Sequence, residues 1–182
     1  MTTTVLAGLL KTAGRNVGLG AGSFGLFETA TVTVPSGAGT PILPVDRRPS
    51  VEEFAALDAG LPAQPLHLAL VGVGEADGSG WWGEGRGGQG YDAVDAVRAV
   101  AGSVALEVTA LPADLAPWHP GRCAELSIEG DVIGHAGELH PKVCAAYGLP
   151  RGSVAAEVDL DVVAARAVHL RRAPSFSTQP VA

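Results

Sequence analysis

The sequence predicts an α+β fold in which helices flank a mostly antiparallel sheet. Apolar and polar residues alternate over 24–34 and again over 154–160, as they do in half-buried strands. A third alternating stretch, over 124–133, turns back at Glu129-Gly130-Asp131, which is typical of a hairpin. Segments with helical spacing fall irregularly between these strands. We therefore expect a single antiparallel sheet with its helices on one face.

Length and composition restrict the class of protein. A chain of 182 residues can bury about 70% of its unfolded surface, which suffices for one core with at most a small appendage. The 19 acidic and 12 basic residues give a net charge of −7, which argues against binding nucleic acid by bulk electrostatics. No apolar run is long enough to cross a membrane, and two cysteines are too few for a disulfide framework. We expect a cytoplasmic protein with reduced thiols and no membrane partner.

The first elements follow from periodicity and capping signals. Apolar residues recur at helical offsets over 5–17, and Gly18 begins the segment that ends this helix. The helical pattern has already begun at residue 5, and no capping residue precedes it. We therefore expect Met1 to be the end of a truncated segment and not a natural domain boundary. Ser50 and Glu53 have the spacing of a capping box and predict a short helix through Leu57.

The middle of the chain predicts a buried strand followed by a loop and a helix. Residues 66–73 are apolar on both faces except at His67, as in a central strand. Residues 74–90 are rich in glycine and are predicted to form a loop. A helix is then predicted to begin at Asp92, whose carboxylate lies near the positive end of the helix dipole. Another strand is predicted over 104–110.

One more helix is predicted after the hairpin. Pro141 stands where a first helical residue should, and Gly148 stands where a C-terminal cap should. The strand that follows, over 154–160, carries Glu157 and Asp159 on its polar side.

Reactive side chains are densest in residues 118–144. They are Trp118, His119, Arg122, Cys123, Glu125, His135, Glu138, His140 and Cys144. One hypothesis is a small zinc metallohydrolase that uses His119, His135, Glu138 and His140. The spacing argues against it, because His135 and His140 are five residues apart and straddle a glycine. We prefer the interpretation that His119 and His140, each held extended by the proline that follows, tie loops to backbone groups.

Other candidate sites are weaker. The glycine-rich segment 18–22 follows a helix, the wrong polarity for a dinucleotide fingerprint, and the segment 83–90 has no lysine after it. Both are expected to be ordinary turns. A nucleophilic Cys123 is disfavoured because the strand that begins there should point the thiol into the sheet.

Two ordered stretches resemble the signature of the bacterial phenylalanine–tRNA ligase β subunit. They read HPGRCA over 119–124 and IGHAGELHP over 133–141, and they stand on either side of the predicted hairpin turn. The family's HPGRSA-type and IGxxGELHP-type stretches have this order and spacing. The leading helix (LAGLLK, then Arg15-Asn16), Leu26-Phe27-Glu28 and residues 172–182 are similar to further segments of that family.

The resemblance implies a fold and a role. It implies the class II aminoacyl-tRNA synthetase-like core of the β subunit over 1–170, without catalysis, and over 171–182 a linker into an anticodon-binding domain. In the family, catalysis takes place on the α subunit of an (αβ)₂ assembly that charges tRNA-Phe with phenylalanine. ATP and Mg are implied for the whole enzyme, and no cofactor is assigned to this segment. The isolated chain is expected to be inactive.

The same resemblance assigns no catalytic, cofactor-binding or metal residue to this chain. The signature residues are expected to be structural: His119, Pro120, Gly121, Arg122, Gly134, Gly137, Glu138, His140 and Pro141. A stand-alone interaction domain that has kept the fold with another partner is a further alternative.

Overall fold

A six-stranded antiparallel sheet forms the centre of the molecule. A computed structural model describes residues 2–37 and 39–167 of the chain. The strands lie in the order β1-β2-β8-β7-β6-β5. Their bounds are β1 Phe24–Thr31, β2 Leu66–Val73, β5 Thr109–Ala113, β6 Trp118–Ile128, β7 Asp131–Leu139 and β8 Val154–Asp159, and a separate two-stranded ribbon contains β3 Glu75–Asp77 and β4 Arg86–Gly87. The predicted α+β class and antiparallel sheet are confirmed.

Helices cover both faces of this sheet, so the expectation of helices on one face is wrong. The helices are α1 Leu6–Gly18, α2 Val51–Ala59, α3 Gly90–Gly102, α4 Pro141–Tyr147 and α5 Leu160–Arg166. α1 and α4 pack on one face, called the α1 face, and α3 and α5 pack on the other, called the α3 face. β2 and β8 contribute buried side chains to both faces, which is why two helical layers are needed.

The core on the α1 face is organised around α1. One stripe of this helix is buried, and it consists of Leu6, Leu9, Leu10 and Ala13. This stripe packs on β1 and β2, with Val32 and Val71 at the centre of the contact. The helix predicted over 5–17 is confirmed.

The core on the α3 face is organised around α3. Its buried side chains are Ala93, Val94, Val97 and Ala101, which pack on β7 and β8. Leu126 and Ile128 of β6 complete this layer. α3 therefore covers the middle of the sheet on this side.

The predicted hairpin is confirmed in β6 and β7. Its two turn residues, Glu129 and Gly130, both have positive φ, at 52° and 91°. Two consecutive positive φ values match the twist of paired strands, as in a type I′ turn.

The two short helices with local signals also form. Ser50 accepts a hydrogen bond from Glu53 N–H while the Glu53 carboxylate accepts one from Ser50 N–H, so the capping box before α2 is present. α4 begins at Pro141 and is capped by Gly148 in the left-handed conformation.

Three sequence expectations need correction. β1 ends at Thr31 and not at 34, because Val32 N–H bonds to Pro65 O and a proline has no N–H to return. Residues 104–108 wrap the end of α3, through bonds from Val104 and Leu106 N–H to Ala101 O, so the strand predicted over 104–110 starts only at residue 109. The predicted glycine-rich loop over 74–90 contains the ribbon of β3 and β4.

Within the described part of the chain, no helix has the length and apolar character needed to cross a membrane. Residues 168–182, which include the predicted linker, lie outside the described residues.

Candidate functional site

The signature residues lie in and directly after the hairpin of β6 and β7. The stretch from His119 to Arg122, expected to be a loop, belongs to β6. The pairing of β6 with β7 shifts between Trp118 and Cys123, so this half of the strand bulges away from a regular ladder. The bulge places Gly121 at a positive φ of 78°.

Gly134 and Gly137 are positions where neighbouring strands approach closely. A Cβ at Gly137 would lie 2.1 Å from the carbonyl oxygen of Arg122 in β6. A Cβ at Gly134 would lie 2.0 Å from the carbonyl oxygen of Glu157 in β8. Both contacts are with backbone, which cannot move aside without breaking the sheet, so these two glycines set the spacing of three strands.

An ion pair links the two halves of the signature on the α3 face. Arg122 Nη1 lies 2.5 Å from Glu138 Oε2. The Glu138 side chain is 14% exposed and the Arg122 side chain is 59% exposed. Together with Tyr91 and Gly90 of α3 they line a cleft of about 700 Å³. The pair therefore fastens β6 to β7 at the mouth of this cleft.

His119 and His140 bond to the backbone, as the sequence predicts. His119 Nδ1 lies 2.6 Å from Pro120 O, and His140 Nδ1 accepts a hydrogen bond of 3.0 Å from Lys142 N–H. The second contact caps the first turn of α4, after Pro141. The two imidazole rings stack with centroids 6.1 Å apart.

His135 belongs to a different environment. It lies on the α1 face beside Trp118, with ring centroids 5.8 Å apart, and its Nε2 is 3.8 Å from Glu125 Oε2. Burial lowers the pKa of His135, and the nearby Glu125 carboxylate opposes that shift. His135 and Glu138 face opposite sides of the sheet, which separates two members of the hypothetical zinc site.

Metal and thiol chemistry find no support in this arrangement. Within residues 2–37 and 39–167, no three histidine, cysteine, aspartate or glutamate side chains are grouped so that they could hold a metal ion. Cys123 and Cys144 are buried, and burial raises the pKa of each thiol. Cys123 points into the sheet, as predicted. The zinc metallohydrolase is therefore not favoured.

Comparison with known proteins decides the family. The family model described as "Phenylalanyl tRNA synthetase beta chain CLM domain" matches residues 1–160. The chain belongs to this family. The resemblance in the signature stretches is thereby confirmed.

Curated relatives agree along the whole chain. A phenylalanine–tRNA ligase beta subunit of Thermobifida fusca is 46% identical over 189 residues, covering 100% of this chain and 23% of the relative. Beta subunits of Nocardia farcinica and Streptomyces avermitilis are 46% and 44% identical over 91% and 100% of this chain, and 20% and 23% of their own lengths. The chain thus spans about a quarter of the length of these relatives. The alternative of a stand-alone interaction domain is not favoured.

Within this phenylalanyl-tRNA synthetase beta-chain domain, sequence reasoning missed the role of Glu157. Its carboxylate accepts hydrogen bonds from the Thr4 hydroxyl and from the N–H groups of Val5, at 3.1 Å, and Leu6, at 3.4 Å, and it lies 2.9 Å from His67 Nδ1. These N–H groups open α1, so a residue more than 150 positions away supplies part of the helix cap. The other part is local and was also missed, because Thr4 Oγ1 accepts a hydrogen bond of 3.2 Å from Leu6 N–H.

Of the two glycine-rich segments expected to be turns, 18–22 ends α1 in a turn, whereas 83–90 contains β4 and the first residue of α3. Gly20 follows the end of α1, with its N–H bonded to Val17 O. At the start of α3, the Asp92 carboxylate lies near the free N–H groups of the helix. It accepts a hydrogen bond from Gln89 N–H and one from each terminal nitrogen of Arg86. Arg86 lowers the pKa of Asp92. An anionic side chain already occupies the place that a phosphate would need.

Proposed function

We propose that this chain acts as part of phenylalanine–tRNA ligase, as a core of the β subunit that braces the catalytic α subunit. The proposal rests on the structural roles of the residues in the family signature. Gly134 and Gly137 admit neighbouring backbones, Arg122 and Glu138 join two strands, and His140 caps a helix. Each of these roles builds or stiffens the sheet or a helix beside it, which is what a scaffold requires.

The finer assignments belong to the same proposal. The sheet of residues 1–170 is a class II aminoacyl-tRNA synthetase-like core, and residues 171–182 link it to an anticodon-binding domain. The partner is the α subunit in an (αβ)₂ assembly in the cytoplasm, and tRNA-Phe is bound by the whole enzyme. ATP and magnesium belong, in this proposal, to the whole enzyme, and no cofactor is assigned to this chain.

Co-purification with the α subunit tests the partnership. The 182-residue chain and a tagged α subunit from the same organism are co-expressed, and the complex is captured on the tag. We expect both chains to elute together at equal stoichiometry. A Gly137→Val variant, which cannot close the sheet, should be lost from the complex. An exposed-surface change such as Glu107→Gln should be retained. Failure of the unmodified, folded chain to bind the α subunit would refute the partnership.

A further inference from the structure

Imidazole and carboxylate side chains alternate across four strands on the α1 face of the sheet. The row consists of His67 on β2, Glu157 on β8, His135 on β7 and Glu125 on β6. In the ladders, His135 lies directly opposite Glu157 on one side and directly opposite Glu125 on the other. His67 reaches Glu157 diagonally, with its Nδ1 2.9 Å from Glu157 Oε1. Because residues directly opposite each other share a face of the sheet, these four groups are neighbours in space.

The first three members of the row, from β2 to β7, line one cleft of about 560 Å³. This cleft lies between the start of α1, the helix α4 and the segment 115–118. A further titratable side chain in its lining is Tyr147 of α4. Asp159, the next acidic residue on β8, is already used as the cap of α5. The charged residues of the surrounding segments that are exposed instead are Lys11, Arg15, Asp114 and Lys142.

The Glu157 carboxylate joins this row to the start of α1. Its Oε1 accepts a hydrogen bond from Val5 N–H and contacts His67. Its Oε2 accepts hydrogen bonds from the Thr4 hydroxyl and from Leu6 N–H. Since a carboxylate has only acceptors, the His67 ring carries a hydrogen on Nδ1 in this contact. The charge of Glu157, a side chain only 10% exposed, is therefore stabilised in part by the positive end of α1.

His135 is the member of the row whose charged form fits the fold least well. Burial lowers its pKa, because the imidazolium would lose water, and the Glu125 carboxylate opposes that shift. Its ring packs beside Trp118. A cation formed at this position needs an anion within the cleft. Glu125 is 41% exposed and is screened by water, whereas Glu157 lies in the poorly hydrated cleft, where attraction between charges is stronger.

We propose that this row is a proton-operated latch on the start of α1. A proton from solvent binds the unprotonated nitrogen of His135, and the Glu157 carboxylate turns from the N–H groups of α1 towards the new imidazolium. A full positive charge in the cleft attracts the carboxylate more strongly than neutral N–H donors do. The start of α1 is then left with the local bond from Leu6 N–H to Thr4 Oγ1. The latch does not depend on the role proposed above, because it uses only the sheet and α1.

Acid opens this latch. The neutral His135 ring is the form that burial favours. The closed latch is therefore present above about pH 6.5, the ordinary pKa of histidine, and opens as the pH falls below that value.

Amide protection at the start of α1 tests the proposal. Protection factors of the Val5 and Leu6 amides are measured by NMR on the 182-residue chain between pH 7.5 and pH 5, together with the imidazole resonances of His135. Protection should fall by a factor of roughly ten, as for the loss of a single charge-assisted hydrogen bond. The midpoint should equal that of the His135 titration. The amides of α3, which packs on the opposite face, should show no such step.

Variants separate the latch from a merely structural role. His135→Phe and His135→Gln should both remove the step at Val5 and Leu6. His119→Phe changes a histidine outside the row and should leave it in place. Glu125→Gln removes the carboxylate that raises the pKa of His135. It should therefore move the midpoints of the His135 ring and of the two amides to lower pH together.

Three results would overturn the latch. One is an unchanged protection of Val5 and Leu6 while His135 titrates, or a His135 that takes up no proton before the chain unfolds. Another is a step that persists in folded His135→Phe and His135→Gln, since a different group would then control it. The third is a Glu125→Gln variant in which the midpoint of the ring moves and that of the amides does not.

Discussion

Gly137 illustrates how a single residue without a side chain sets the spacing of strands in this domain. The atom closest to a Cβ added at this position is a carbonyl oxygen of the next strand, and Gly134 has the same relation to β8. Neither relation can be read from the sequence, because both depend on which residues face each other across the ladder. Sequence reasoning identified these glycines as part of a signature, and the structure supplies the physical reason.

The first prediction concerns Gly137. Replacing it by valine forces β6 and β7 apart and should lower the free energy of unfolding by about 3 kcal/mol, the range of a severe overpacking change. Urea denaturation followed by circular dichroism measures the difference. Gly25→Ala is the matched control, because it lies in a strand with free space at its Cβ and should leave stability unchanged or slightly raised. Equal stability of the Gly137→Val variant would contradict the close approach.

The second prediction concerns pH and His135. Because burial lowers its pKa in the folded chain, the unfolded chain takes up a proton more readily as the pH falls through about 6.5. Stability associated with the neutral ring is therefore present above that pH and is lost below it. His135→Phe should reduce the difference in unfolding free energy between pH 7.5 and pH 5.

The matched variant for that measurement changes Glu125, the carboxylate that raises the pKa of His135. Glu125→Gln should lower this pKa further and enlarge the loss of stability at pH 5. If His135→Phe left the pH dependence unaltered, the ring would have to be as well hydrated in the folded chain as in the unfolded one.

At the scale of elements, the features that nearby residues determine were predicted correctly, and those that residues distant in the sequence determine were not. The capping box of α2 and the proline and glycine that bound α4 lie within a few residues of what they stabilise. The carboxylate in the cap of α1 comes from Glu157 on β8, and the end of β1 is set by Pro65, directly before β2. A single sequence does not say which strand will lie beside which residue, so these features could not be derived from it.

The third prediction concerns α2, a helix with no buried residue. Since none of its residues is buried, Ser50→Ala should unwind α2 without changing the global unfolding free energy. Amide hydrogen exchange of residues 51–59 measures the local effect. The contrasting variant is Asp159→Ala at the N-cap of α5, which buries Val163. That change should cost about 1 kcal/mol globally. A global loss in Ser50→Ala would mean that α2 packs on the domain.

The fourth prediction concerns the clamp that Glu157 forms between β8 and α1. Glu157→Gln keeps the shape but removes the charge, weakening charge-assisted bonds to two N–H groups and a hydroxyl. The free energy of unfolding should fall by about 2 kcal/mol. Early exchange of the amides at the start of α1 should accompany the loss. Glu107→Gln, an exposed change, is the control, and an equal effect of both variants would exclude the clamp.

At the scale of the whole molecule, the class of the fold follows from the sequence but the number of helical layers does not. The alternation over 154–160 suggested a polar outer face, yet Ala155 is buried and Glu157 is nearly so, because α1 lies there. The strand 66–73, apolar on both sides, was the better indicator that helices pack on two faces. The family signature could be recognised from the sequence because its residues lie close together in the chain.

Amino-acid activation by the chain alone is the most direct test of the scaffold role. Purified chain is incubated with phenylalanine, ATP and labelled pyrophosphate, and the intact enzyme serves as the positive control. Pyrophosphate exchange should stay at the level of buffer. Exchange that rises in proportion to the concentration of the pure chain would contradict the account, because the residues assigned here to bracing the sheet would then have to carry out chemistry.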